Sequence, residues 1–243
     1  MRIGASLAMT LLFLVGVTTS KADELLWDNY PGGFEALQNV SFSMSSERNT
    51  AVWESTWVVD DVDLAQIEGA DPGLTRLTRL AWVGARDPGY AYSTVDVIVL
   101  DGEFNTIFQA WDLEYSFTDR GSELDPQMQL YEGEVSLNVP TPSDEGLSEH
   151  FYIGVRLVGD GYYQGSGRFV TSSIDETIRG RTEGYTRAAV FGAPDWTPAS
   201  DVWYAPPTDE HFEFAFRVYA EVVPEPASLA LLAVGGLLMI RRR

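Results

Sequence analysis

Through the middle of the chain, apolar residues recur at every second position. In HFEFAFRVYAEV (211–222) they fall on Phe212, Phe214, Phe216, Val218, Ala220 and Val222, with Glu213, Arg217 and Glu221 between them. Period two is the repeat of a strand with one buried face. HFYIGVRLV (150–158) repeats it: Phe151, Ile153, Val155 and Leu157 point inward, and His150, Tyr152 and Arg156 lie opposite. EGEVSLNV (132–139) sets Val135, Leu137 and Val139 against Glu134, Ser136 and Asn138. STVDVIVL (93–100) is nearly continuous and β-branched, as a central strand buried on both faces requires. WESTWVV (53–59), LTRLAWVG (77–84), DLEYSF (112–117) and TRAAVFG (186–192) read as further strands.

Turn chemistry separates these runs: Asp71-Pro72-Gly73, Asp87-Pro88-Gly89, Asp101-Gly102, Pro140-Thr141-Pro142 and Asp160-Gly161. Helical periodicity is absent apart from a turn or two around 61–69. Many short strands with regular turn signals predict an all-β antiparallel sandwich or jelly roll. No repeat or linker divides 23–222, so one domain is expected there.

Composition narrows the picture. The chain has 243 residues, 45% hydrophobic, with 7 Trp, 12 Phe and 11 Tyr, enough for a sizeable core. It has no cysteine, which removes disulfides, thiolate chemistry and Cys-ligated metals. The formal net charge is −20 and the only lysine is Lys21. The terminal segments hold five basic residues and one acidic one, so 23–222 carries −24. Such a surface repels nucleic acid and anionic lipid, so no nucleic-acid partner is expected.

The two ends break the pattern. Arg2, the predominantly apolar run 5–17, and small residues at Ser20 and Ala22 before Asp23 form the three parts of a secretory signal peptide, expected as a helix over 1–22. At the other end 227–240 is uncharged and precedes Arg241, Arg242 and Arg243. A spanning helix takes about 20 apolar residues, and Gly235-Gly236 weakens this one. The arginines would hold the terminus in the cytoplasm. The segment 223–243 therefore reads as a short hydrophobic helix and a temporary inner-membrane anchor, with a permanent anchor as the alternative.

That tail resembles the PEP-CTERM sorting signal of exopolysaccharide-producing Gram-negative bacteria. Pro224, Glu225 and Pro226 match its Pro-Glu-Pro motif, 227–240 its hydrophobic segment, and Arg241, Arg242 and Arg243 its basic end. The resemblance implies recognition by an exosortase, a membrane-embedded processing peptidase, and a destination at the cell surface or in the extracellular matrix. It implies no biochemical activity. The body is similar to secreted bacterial jelly-roll proteins in LWDNYPGG (26–33), VVDDVDL (58–64) and HFYIGVRLVGDG (150–161). Phe151-Tyr152 stands where that layout has Tyr-Trp.

Candidate chemistry is sparse. His150 and His211 are the only histidines, and each begins a strand beside a phenylalanine, as surface strand-end residues do. No Gly-x-Ser-x-Gly, His-Glu-x-x-His or phosphate-loop pattern occurs. Asp60, Asp61 and Asp63 form the tightest acidic cluster and are the candidate ligands of a structural calcium, with Asp101 and Glu103 as a second cluster. The alternative for the first cluster is a solvated acidic loop guarding an edge strand. Trp53, Trp57 and Trp82 alternate with polar residues and read as core. Trp196, Trp203 and Tyr204 lie in a Pro-rich stretch, GAPDWTPASDVWYAPPTDE (192–210), which reads as a loop, and are the candidate carbohydrate contacts.

The expected function is non-enzymatic: an exported surface or matrix protein with a structural or adhesive role in exopolysaccharide. The alternatives are a calcium-assisted carbohydrate-binding module and, behind it, a polysaccharide hydrolase working through paired carboxylates. No other cofactor is expected.

Overall fold

The computed structural model describes residues 23–34, 43–50, 54–73, 75–87, 92–125, 128–137, 147–159, 167–170, 179–202 and 212–222. Its strands, in chain order, begin with β1 (Glu24–Asp28), β2 (Ser43–Ser45), β3 (Glu47–Asn49), β4 (Glu54–Ser55) and β5 (Trp57–Asp63). Then come β6 (Thr75–Arg86), β7 (Tyr92–Asp101), β8 (Thr106–Leu113), β9 (Ser116–Asp125) and β10 (Met128–Ser136). The last are β11 (His150–Gly159), β12 (Gly167–Val170), β13 (Tyr185–Ala188), β14 (Ala193–Pro198) and β15 (Phe216–Val222).

They form two sheets that pack as a sandwich. One runs β1-β15-β6-β10-β9, with β12 and β2 continuing beside β6. The other runs β14-β13-β5-β11-β3-β4, with β7 and β8 on the far side of β11. We call them the β6 sheet and the β11 sheet. Pairing is antiparallel except between β11 and β3.

The period-two pattern explains the core. Val58 and Val62 of β5, Val95, Val97 and Val99 of β7, and Phe151, Ile153, Val155 and Leu157 of β11 meet Leu80, Trp82, Tyr131, Phe216 and Val218 of the β6 sheet. Burying each such side chain stabilises the fold by about 1.5–3 kcal/mol. Two large rings fit because glycines face them. Trp82 is paired with Gly133 and Tyr131 with Gly84. A Cβ on Gly133 would stand 2.4 Å from the Trp82 ring. The Trp82 indole N–H donates to the Tyr131 hydroxyl at 3.0 Å.

Several expectations need correction. DLEYSF is not one strand: it breaks at Glu114 and Tyr115, where the chain turns from β8 in one sheet to β9 in the other. The Pro-rich stretch after Gly192 is not wholly loop. It forms edge strand β14 and a short helix, Ala199–Val202. Pro194 and Pro198 are tolerated there because an edge strand leaves one side of its backbone unpaired. Of the helix considered around 61–69, only a 3-10 turn at Leu64–Gln66 forms.

The polar face of HFYIGVRLV is not solvated. All of β11 after His150 is buried, Arg156 included. A second layer covers that face: Trp57, Val59, Ile98, Leu100 and Tyr152 lie beneath Phe104, Tyr185 and Trp196. Glu213, expected to face outward, is also buried. Trp57 and Trp82 are core, as expected, whereas Trp53 lies outside the described residues. So do the two terminal segments, 1–22 and 223–243. Among the described residues no helix is long and apolar enough to cross a membrane.

Candidate functional site

The acidic run Asp60-Asp61-Val62-Asp63 lies in β5, between β13 and β11, and not in a solvated loop. Strand alternation sends its carboxylates to different faces. Asp60 points inward and accepts from the Phe214 backbone N–H at 2.6 Å, Asn29 Nδ2 at 3.1 Å and the Asp61 N–H at 2.9 Å. It thus ties the LWDNYPGG segment to β5 and to the entrance of β15. Asp61 points outward. Its Oδ2 accepts from the Arg181 N–H at 2.6 Å and the Thr182 N–H at 3.2 Å, and lies 2.6 Å from His150 Nε2. Asp63 caps the following 3-10 turn through Ala65 N–H and pairs with Arg181 at 2.8 Å.

Electrostatics differ along this seam. Burial, with Glu213 and Asp61 nearby, pushes the Asp60 carboxyl well above the usual range. Burial, then the Asp61 charge, raises Glu213 to about 8. The Arg181 guanidinium holds Asp63 low. Among the described residues no three His, Cys, Asp or Glu side chains converge to hold a metal ion. The three aspartates expected as calcium ligands do not converge; each accepts from protein donors as a structural clasp, with Asp61 Oδ1 left buried without a hydrogen-bond partner. Asp101 is a clasp as well: it accepts from the Glu103 and Asn105 N–H groups, both at 2.8 Å, in the β7–β8 turn. His150 does begin a strand, but it packs against Asp61 with its side chain only 13% exposed, so it is not a surface residue. His211 lies outside the described residues.

The outer face of the β11 sheet is aromatic. Phe104 stacks on Tyr152 at 4.5 Å and 18°, and on Trp196 at 6.0 Å and 17°. Tyr185 tilts against Phe104 at 4.8 Å, and Arg187 covers the Trp196 ring at 4.8 Å. Phe104 reaches this layer because its backbone takes φ 64° in the turn. For a bulky residue that conformation costs about 1–3 kcal/mol. Burial pushes the Tyr152 phenol up to about 12, so it stays a neutral donor.

Further along the same face stands Trp111, half exposed at 50%. Arg156 lies over its ring at 4.9 Å and Arg48 at 5.5 Å. Arg156 also covers Trp57 at 4.1 Å. Asp96, fully buried, holds both arginines: Arg48 Nε at 2.7 Å and Nη2 at 2.9 Å, and Arg156 Nε at 2.8 Å. The Asp112 N–H adds a fourth donor at 2.9 Å. Asp112 is the other non-glycine residue of positive φ among those described, at 55°. One such residue precedes β8 and the other lies near its end, where Phe104 and Trp111 join this face.

The outer face of the β6 sheet carries a small apolar cluster, Val83, Ala85, Leu130 and Ala215 beneath Tyr30 and Phe34, and is polar beside it. A groove of ≈ 260 Å³ crosses it, floored by Ala81 and lined by Glu132, Glu134, Arg217, Ser116, Thr118 and Tyr219.

Of the predicted carbohydrate contacts, Trp196 is in the aromatic layer, while Trp203 and Tyr204 lie outside the described residues, as do Pro224, Glu225, Pro226, Arg241, Arg242 and Arg243. Sequence reasoning missed Phe104, Trp111 and the Arg48–Asp96–Arg156 cluster. Signals existed: an aromatic residue inside a Gly-Glu-Phe-Asn turn, and one aspartate within a buried β-branched run. No family model, curated protein or solved structure matches the chain.

Proposed function

We propose that 23–222 is an exported, non-enzymatic sandwich of jelly-roll connectivity that contacts carbohydrate at the cell surface or in the matrix. Helical signal segments at both ends deliver it, and an exosortase processes the tail. The observation that carries the carbohydrate reading is the outer face of the β11 sheet. Rings there that the inter-sheet core does not need lie over the strands, with Trp111 exposed and backed by two anchored guanidiniums. Flat rings beside hydrogen-bonding groups suit the apolar face and hydroxyl rim of a sugar. The tail and the −24 charge of the body support delivery as a soluble surface component.

A calcium requirement is not part of this reading, because Asp60 faces the core while Asp61 and Asp63 lie on the opposite face, so the three β5 carboxylates do not converge. A hydrolase would draw on Glu132 and Glu134, but Arg120 and Arg79 already occupy these carboxylates, which favours binding over bond cleavage.

The test has two parts. The protein purified from its producing cell has an intact mass lacking 1–22 and the segment after Pro226; a mass retaining Arg241, Arg242 and Arg243 removes the exosortase step. The body, 23–222, sediments with the exopolysaccharide of that cell, and Trp111→Ala weakens this by about tenfold, equivalent to about 1.4 kcal/mol. Absence of any sedimentation would sink the carbohydrate reading.

A further inference from the structure

We infer that the groove on the β6 sheet is a second carbohydrate site, so that one sandwich bridges two polysaccharide chains. This rests on the proposed function and extends it from contact to cross-linking.

The groove follows from strand register. Ala81 of β6 is paired with Glu134 of β10 on one side and Arg217 of β15 on the other. Its methyl group is the low point between two long polar side chains. Those chains rise from strands two spacings apart, about 10 Å. That gap admits one sugar ring with hydrogen bonds along both edges. Ser116, directly opposite Glu134, and Thr118, opposite Glu132, supply hydroxyls from edge strand β9.

The polar groups are held before any ligand arrives. Arg120 Nε donates to Glu132 at 2.8 Å, and Arg79 Nη1 donates to Glu134 at 2.6 Å. Arg217 Nε donates to Asp28 at 3.1 Å and its Nη2 to the Tyr30 carbonyl at 3.2 Å. Its guanidinium lies over the buried Tyr30 ring at 4.0 Å. Groups immobilised in this way lose little further freedom on binding. Each carboxylate retains lone pairs for sugar hydroxyls, and charge-assisted bonds of that type are among the strong ones.

Charge selects the ligand. Two carboxylates and one guanidinium line the groove, within a body of −24. Arg120 and Arg79 neutralise the two carboxylates and Asp28 the guanidinium, so the groove offers a uronate no lining cation left unpaired, and the ligand is a neutral, hydroxyl-rich stretch of polysaccharide. The outer faces of stacked sheets point in opposite directions. A chain in this groove and a chain on Trp111 are therefore separate chains, and a monomer is bivalent.

Inert beads coated with the producing cell's exopolysaccharide test this. Wild-type 23–222 sediments with the polymer and aggregates the beads. Trp111→Ala and Ala81→Leu, which fills the groove, each still sediment. Each loses aggregation, and apparent affinity falls by at least about tenfold as avidity is lost. Ala81 is half-buried; should Ala81→Leu melt early, Ser116→Tyr at an exposed edge position closes the same groove. Reducing the polymer's carboxyl groups to alcohols leaves groove-dependent binding intact. Aggregation unchanged by both groove variants, or binding lost on carboxyl reduction, overturns the inference while the Trp111 site stands. A wild-type body that neither sediments nor aggregates the beads overturns the carbohydrate reading itself.

Discussion

Asp96 stands at the centre of a strand buried on both faces, where a lone charge would be prohibitive. It is tolerated because four N–H donors from Arg48, Arg156 and Asp112 meet its two oxygens. Burial draws the Arg156 guanidinium down to about 10, still charged at neutral pH. Removing one partner of such a cluster costs about 3–5 kcal/mol. Asp96→Ala is therefore expected to lower the urea midpoint by that equivalent, with Asp96→Asn intermediate. Glu213 behaves oppositely. Its folded pKa of about 8 lies above its ordinary 4.5, and Asp60 is shifted in the same direction. The native state thus keeps protons that the unfolded chain releases, and stability present below about pH 4.5 is lost as pH rises towards 8. Each retained proton contributes a slope of about 1.4 kcal/mol per pH unit. Thermal melts of the wild type fall across pH 5–8, and those of Glu213→Gln fall less steeply; equal slopes would refute this role for Glu213.

At the scale of elements, β11 is the hub of its sheet. It pairs with β7 along nearly its whole length, and with β5 and then β3 on its other side. Both its faces are covered, one by the inter-sheet core and one by the aromatic layer. β14 is the opposite case, a proline-bearing edge strand bonded only to β13. Hydrogen exchange follows local opening, which is rarest where contacts are densest. Amides of β11 and β7 should exchange last, at rates near global unfolding, and those of β14 first. Protection of β14 equal to that of β11 would contradict this ordering. The β7–β8 hairpin has a further role: Phe104 and Trp111, at or beside its two residues of positive φ, join the aromatic face from a rigid element.

At the scale of the molecule, −24 spread over 23–222 sets like charges against one another. Self-repulsion disfavours the compact state, and salt screens it over about 8–10 Å at physiological strength. The melting temperature is expected to rise between 10 and 200 mM sodium chloride. A fall would mean that the arginine–carboxylate pairs on the β6 sheet outweigh the net charge. Those pairs show how few basic residues suffice: Arg76, Arg79, Arg86, Arg120 and Arg217 each meet a carboxylate there.

Much of this was legible along the chain, because strand formation is local. Alternation identified β11, β15 and the inward residues Phe151, Ile153, Phe216 and Val218, and the β-branched run identified β7 as central. The tail's order of motif, apolar segment and arginines is likewise a linear property. Other features depend on which strands become neighbours. Only the pairing of β5 with β11 and β13 turned an apparent acidic loop into three clasps. Only the second layer buried Arg156 and the outward face of β11. The groove over Ala81 exists because β10 and β15 flank β6 in one register, and alternation along any single strand carries no information about register across strands.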